Sequence, residues 1–163
     1  MIICGFYGIG KSYYVFNKEK AGDLSTIEID SSSIEKDGRP NWYSVYCDEA
    51  IGLSESGKNV FISAHPEVLK YILNNAKAND VIVAIPDDSD GIEWLSDRLY
   101  KRFKQTKTLK DGKALYASVV YGEKQIKDAK LLFLGTKSEL IIPKGKYLSD
   151  FIDDKIKEMK NNG

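Results

Sequence analysis

The sequence predicts a three-layer α/β fold, a five-stranded parallel sheet with helices on both faces. Three observations carry that expectation. Short apolar runs recur along the chain, at Ile2, Ile3 and Cys4, at Val60, Phe61 and Ile62, and at Val81, Ile82 and Val83. Strands apolar on both sides are buried on both sides, as in a parallel sheet. The runs alternate with longer segments whose apolar residues recur at helical spacing. With 163 residues, 42% of them hydrophobic and 29% charged, the chain is long enough for one sizeable core and too apolar for extended disorder.

The elements follow in order. Residues 1–6 form a buried strand that ends in glycine-rich sequence, and residues 11–17 continue as a helix. Residues 25–30 set Ile27 and Ile29 against Thr26 and Glu28, the alternation of a strand. Residues 31–40 are polar and turn-rich. Residues 42–56 place Trp42, Val45, Tyr46, Ala50 and Leu53 near helical spacing, with Gly57 as the stop. A strand over 59–64 leads to Pro66, suited to a first helical turn, and a helix over 67–75. Residues 80–85 form the next strand, closed by Pro86, and residues 92–105 an amphipathic helix. Residues 106–112 read as a polar loop. Residues 114–134 read as mostly helical despite Gly122. A short strand over 139–142 and a helix over 146–160 complete the chain. No linker or repeat interrupts it, so one domain over residues 1–163 is expected.

Composition narrows the function classes. Lys plus Arg and Asp plus Glu are 24 each, a net charge of zero. That balance leaves no overall electrostatic footprint for nucleic acid or a membrane. No apolar run reaches spanning length. Two cysteines, Cys4 and Cys47, make no disulfide framework, and Cys4 reads as a small buried hydrophobe. A reducing, cytoplasmic setting is expected.

The sharpest local signal is Gly5-Phe6-Tyr7-Gly8-Ile9-Gly10-Lys11-Ser12, which satisfies G-x-x-x-x-G-K-[ST] in full. Its glycines let the backbone fold into a concave nest of N–H groups aimed at phosphate oxygens. Tyr7, Gly8, Ile9 and Gly10 supply backbone to that nest, Lys11 reaches the β- and γ-phosphates, and Ser12 offers a hydroxyl to Mg²⁺. The motif follows an apolar strand and opens a helix, the context its mechanism requires. The expected ligand is ATP with Mg²⁺, and the fold class becomes a P-loop NTPase fold with strand order 2-3-1-4-5.

With this loop in hand, the chain resembles P-loop nucleotide kinases, and among them the small adenylate-kinase-like proteins of phages and low-GC bacteria. Members of that group share an Asp-Ser-Ser after the second strand and a Ser-x-His after the third. Here those positions read Asp30-Ser31-Ser32 and Ser63-Ala64-His65. The resemblance implies transfer of the γ-phosphoryl of ATP to a small acceptor, a nucleoside or deoxynucleoside monophosphate. It also implies lid arginines on the helix after the fourth strand.

Other candidates rest on strand-end placement and residue type. Asp30 ends the second strand on the side of the sheet where ligands bind, placed to orient an acceptor hydroxyl or a metal-bound water. Ser31 and Ser32 are acceptor contacts, or simply turn formers. His65, the only histidine, is a phosphate contact or a structural residue. Arg98 and Arg102 share a helix face and suit the charge of a transferring phosphoryl group. The plain alternative is a solvated face paired with Glu93 and Asp97. Arg39 is a weaker candidate for the acceptor phosphate. One departure stands out: the third strand ends without the acid that often orients Mg²⁺. Three rival readings follow. They are an ATP-binding module with little catalysis, a kinase of nucleic-acid ends or modified bases, and a partner-binding domain with a vestigial loop.

Overall fold

The structure is a computed structural model that describes residues 1–31 and 40–161. Ser32 and Arg39 therefore lie outside the described residues. Five strands form one sheet: β1 (Ile2–Gly5), β2 (Thr26–Glu28), β3 (Asn59–Ser63), β4 (Val81–Pro86) and β5 (Glu139–Ile142). Every neighbouring pair is parallel and the order is β2-β3-β1-β4-β5, as the sequence predicted.

Burial explains that order. All four residues of β1 and all six of β4 are buried, whereas β2 and β5, at the edges, are short and partly exposed. The longest apolar runs thus take the centre, where both faces need cover. Gly5 stands opposite Ser63 on one side and Ala84 on the other, so β1 and β3 finish level and β4 runs on to Pro86, where it pairs with Ile142 of β5.

Among the described residues six α-helices surround the sheet: α1 (Lys11–Lys20), α2 (Trp42–Glu55), α3 (Pro66–Asn75), α4 (Glu93–Thr106), α5 (Leu109–Phe133) and α6 (Ile152–Asn161). Pro66 occupies the first turn of α3 as expected, and His65 Nδ1 caps it by accepting the Glu67 N–H at 3.3 Å. Cys4 and Cys47 are buried free thiols.

Two expectations need correction. Residues 106–112 are not a loop. Helix α4 ends at Lys107, a non-glycine residue with φ 51°, and Thr108 at once caps α5 by accepting the Asp111 N–H. Asp111 in turn accepts from Thr106 Oγ1 and pairs with Arg102, so a polar sequence builds a tight helical hairpin. The last helix begins at Ile152, not at 146, because residues 147–150 are spent closing over the glycine loop. Leu148 N–H donates to the Ile9 carbonyl at 2.9 Å, and a short 3₁₀ turn covers Leu148–Asp150. On α1, Tyr14 packs inward, but Tyr13 and Phe16 are exposed, since only one face of that helix meets the protein.

Candidate active site

The glycine loop joins β1 to α1, and its backbone shape demands its glycines. Gly8 and Gly10 hold φ of 77° and 99°, which side chains rarely adopt. A Cβ on Gly8 would also stand 2.9 Å from Leu95 Cδ1, and one on Gly10 3.1 Å from Tyr147 Cδ1. Gly5 has no such backbone need. Its missing Cβ leaves room for the Lys11 stem, whose Cδ would lie 2.8 Å away. Lys11 folds back there, and its Nζ donates to the Gly5 and Phe6 carbonyls at 2.7 and 2.9 Å.

This conformation leaves a run of donors unused. The amides of Gly8 through Tyr13 meet no acceptor among the described residues, and the Ser12 hydroxyl is exposed and likewise without a partner. Successive free N–H groups at a helix N-terminus form an anion nest. The donor set fits a triphosphate, with Ser12 at the helix start to share its Mg²⁺. Among the described residues no group of three or more His, Cys, Asp or Glu is placed to hold a metal ion.

The loop opens into a cleft of about 1600 Å³ at the carboxyl ends of the strands. Glu28, Asp30, Ser31, Ser63 and His65 line it from β2 and β3. Lys101, Arg102, Lys110 and Lys113 line it from the α4–α5 hairpin. Glu28 is the residue that sequence reasoning missed. It ends β2, lines the cleft with Lys11, and supplies an acid at a strand end where the third strand has none. The Lys11 ammonium is lowered to about 8 by burial; Glu28 and Asp30 oppose that, and Lys110 and Arg102 reinforce it.

The other expected residues divide. Asp30 lies in the cleft and forms an ion pair with Lys110 across it. His65 lines the cleft while capping α3, and its ring meets Trp42 edge-on at 5.5 Å. Arg98 and Arg102 both reach the cleft, but neither pairs with Glu93 or Asp97. Arg98 donates to the Gly8 carbonyl at 3.1 Å and the Lys146 carbonyl at 3.0 Å. Its guanidinium carbon lies 5.0 Å from the Trp94 ring centroid and 4.0 Å from that of Tyr147. It thus clamps the glycine loop to the segment after β5. Arg102 pairs with Asp111 at 2.5 Å, at the edge of the same cleft.

Tyr7 has a tether besides its backbone. Its hydroxyl lies 2.9 Å from Gln125 Oε1 and 3.1 Å from the Ala117 carbonyl, and burial pushes its pKa up to about 12. Gly122 permits that approach, since a Cβ there would stand 3.0 Å from Ile92 Cδ1 and 3.4 Å from the Tyr7 hydroxyl. The acids after β4 stand elsewhere. Asp87 accepts from Ser89, and Asp88 pairs with Lys130.

No model of a known protein family matches the chain, and no curated protein matches it. Among solved structures, a gluconokinase from Sinorhizobium meliloti 1021 aligns over 99% of this chain and 91% of its own, with 14% identity and a TM-score of 0.54. The chain has the three-layer P-loop fold. That likeness and the parallel strand order agree on the fold. No helix is long and apolar enough to cross a membrane among the described residues.

Proposed function

We propose that the chain transfers the γ-phosphoryl group of Mg-ATP to a small anionic acceptor, a nucleoside or deoxynucleoside monophosphate. The observation that carries this reading is one cleft holding both halves of such a reaction. On one side are the nest and Lys11; facing them are Glu28 and Asp30, with lysines along the α4–α5 wall. Phosphoryl transfer requires positioning and charge stabilisation more than covalent chemistry, and these groups suit both tasks. The cleft, about 1600 Å³, exceeds the roughly 300–1,000 Å³ of a one-ligand pocket and has room for a second nucleotide.

In this mechanism the loop amides and Lys11 hold the β- and γ-phosphates. Bound Mg²⁺ would supply charge neutralisation, held on the protein side by Ser12. Glu28 accepts the hydrogen bond of the acceptor group, and Asp30 orients it. Lys101 and Lys113 have no ion-pair partner among the described residues and meet the acceptor's anionic end. Arg98 keeps the loop in shape, and Arg102 faces the developing charge.

A second reading, a sugar-acid acceptor, is favoured by the gluconokinase neighbour and by the same anion-seeking wall. ADP release from Mg-ATP, measured with a set of nucleoside monophosphates and separately with a set of sugar acids, decides between them. Turnover with the first set only supports our reading. Turnover with the second set only replaces it. No turnover with either favours a nucleotide-binding module.

A further inference from the structure

The β2–β3 ladder is interrupted at its carboxyl end by a side chain. Glu28 pairs with Phe61, and the ladder continues one bond further, with Ile29 N–H donating to the Phe61 carbonyl at 3.0 Å. In a regular parallel ladder the next bond would run from Ser63 N–H to the Ile29 carbonyl. Instead, Ser63 N–H donates to the Tyr46 hydroxyl at 2.9 Å, and that hydroxyl donates to the Ile29 carbonyl at 2.8 Å. The final rung is therefore two hydrogen bonds long. On the other side of β3 no such gap exists, for Ala64 N–H donates directly to the Gly5 carbonyl at 3.1 Å.

We propose that Tyr46 is a positioning residue, a wedge that holds the end of β2 away from β3 and thereby sets Glu28 and Asp30 for the acceptor. This proposal rests on the phosphoryl-transfer reading above. Tyr46 is fully buried on α2, so the hydroxyl's place is fixed by the packed ring behind it. Burial also raises its pKa, so it stays a neutral hydroxyl able both to donate and to accept. The residues it spreads are cleft residues: Ile29, Ser63 and the hydroxyl's own side chain line the same cavity as Glu28 and Asp30. The wedge acts through the backbone and touches neither phosphate nor acceptor.

Tyr46→Phe keeps the ring and removes only the bridging atom. The freed Ser63 N–H and Ile29 carbonyl then close on each other, because leaving both partly buried and unpaired is costly. Closure draws Asp30 toward β3 by part of a hydrogen-bond length. A displacement of about 1 Å can cost as much as 100-fold in rate when geometry carries catalysis. We expect acceptor-dependent kcat to fall ten- to 100-fold in Tyr46→Phe while Mg-ATP affinity stays as in the wild type. Hydrogen exchange at the Ser63 amide should change at the same time.

Unchanged kcat at unchanged ATP affinity would overturn the proposal, as would a parallel loss of ATP binding and turnover, the mark of a merely structural role. If the wild type phosphorylates no acceptor, the kinase reading fails, and Ser63 exchange alone judges the wedge: identical exchange in both proteins rejects it. Should Tyr46→Phe fail to fold, NMR of the wild type takes over. A slowly exchanging Tyr46 hydroxyl proton with a cross-peak to the Ser63 amide supports the wedge, and its absence rejects it.

Discussion

Lys11 makes nucleotide binding depend on pH in a way that can be worked out in advance. Burial brings its ammonium down to about 8 from an ordinary 10.5, and Glu28 limits the fall. In the free protein the charge is satisfied only by two carbonyls of the loop. Bound phosphates would surround it with anionic oxygen and return the pKa toward its ordinary value. The gap between about 8 and 10.5 corresponds to roughly 3 kcal/mol. Between pH 7 and pH 9, Mg-ATP affinity should fall about tenfold, because by pH 9 roughly nine-tenths of the free protein has lost that proton.

Calorimetry in buffers of different ionisation enthalpy reads the same quantity directly. Binding should take up about half a proton near pH 8 and nearly one at pH 9. Lys11→Met is the control and should bind weakly, without this uptake. The sign for folding is the opposite. A lysine with a depressed pKa costs stability fully below about 8, and that cost is relieved as pH rises toward 10.5. Equal proton uptake in wild type and Lys11→Met, or affinity flat from pH 7 to 9, would refute this account of Lys11.

Three further outcomes follow from the same geometry. Glu28→Gln should cut acceptor-dependent turnover about 100-fold or more, and it should shift the pH at which ATP affinity falls to lower values, because Glu28 is the main group holding the Lys11 pKa up; steady-state kinetics and titration check both. Gly10→Ala should lower stability by about 1–2 kcal/mol from left-handed backbone strain, with added loss of ATP affinity because the new methyl meets Tyr147 at 3.1 Å; denaturant unfolding and nucleotide titration measure each part. Asp111→Asn should destabilise by about 1–3 kcal/mol at neutral pH. Burial raises the Asp111 pKa, but bonds from Thr106, Thr108 and Arg102 outweigh that and lower it below 3.8. Its stabilisation is therefore present above that pH and lost as pH falls through the folded value, so the gap between wild type and variant should close in acid.

The sequence made some of this legible and hid the rest for physical reasons. The glycine loop was readable because its chemistry is local: eight consecutive residues carry backbone freedom, cation and hydroxyl together. The apolar runs marked the strands, and the strand order came with the P-loop fold that the glycine loop implies. Glu28 was not found, because strand alternation gives the face a side chain takes and not what stands opposite it. Asp30 was found for its place at a strand end, yet its pairing with Lys110, 80 residues away, has no local trace. The hairpin between α4 and α5 did leave a signal. Thr108-Leu109-Lys110-Asp111 has a capping residue with an acid three positions on, a helix start that the polar composition and Gly112 disguised. Tyr46 looked like one more packed aromatic; only the missing direct rung between β2 and β3 marks its hydroxyl as different.

Phosphoryl transfer from ATP bound in the glycine loop is open to direct test. The measurement that tests it most directly follows γ-labelled Mg-ATP incubated with nucleoside monophosphates, wild type beside Lys11→Ala, and asks where the label goes. Label should appear on an acceptor with the wild type and not above background with Lys11→Ala. Label that stays on ATP in both, or moves equally well in both, would contradict it.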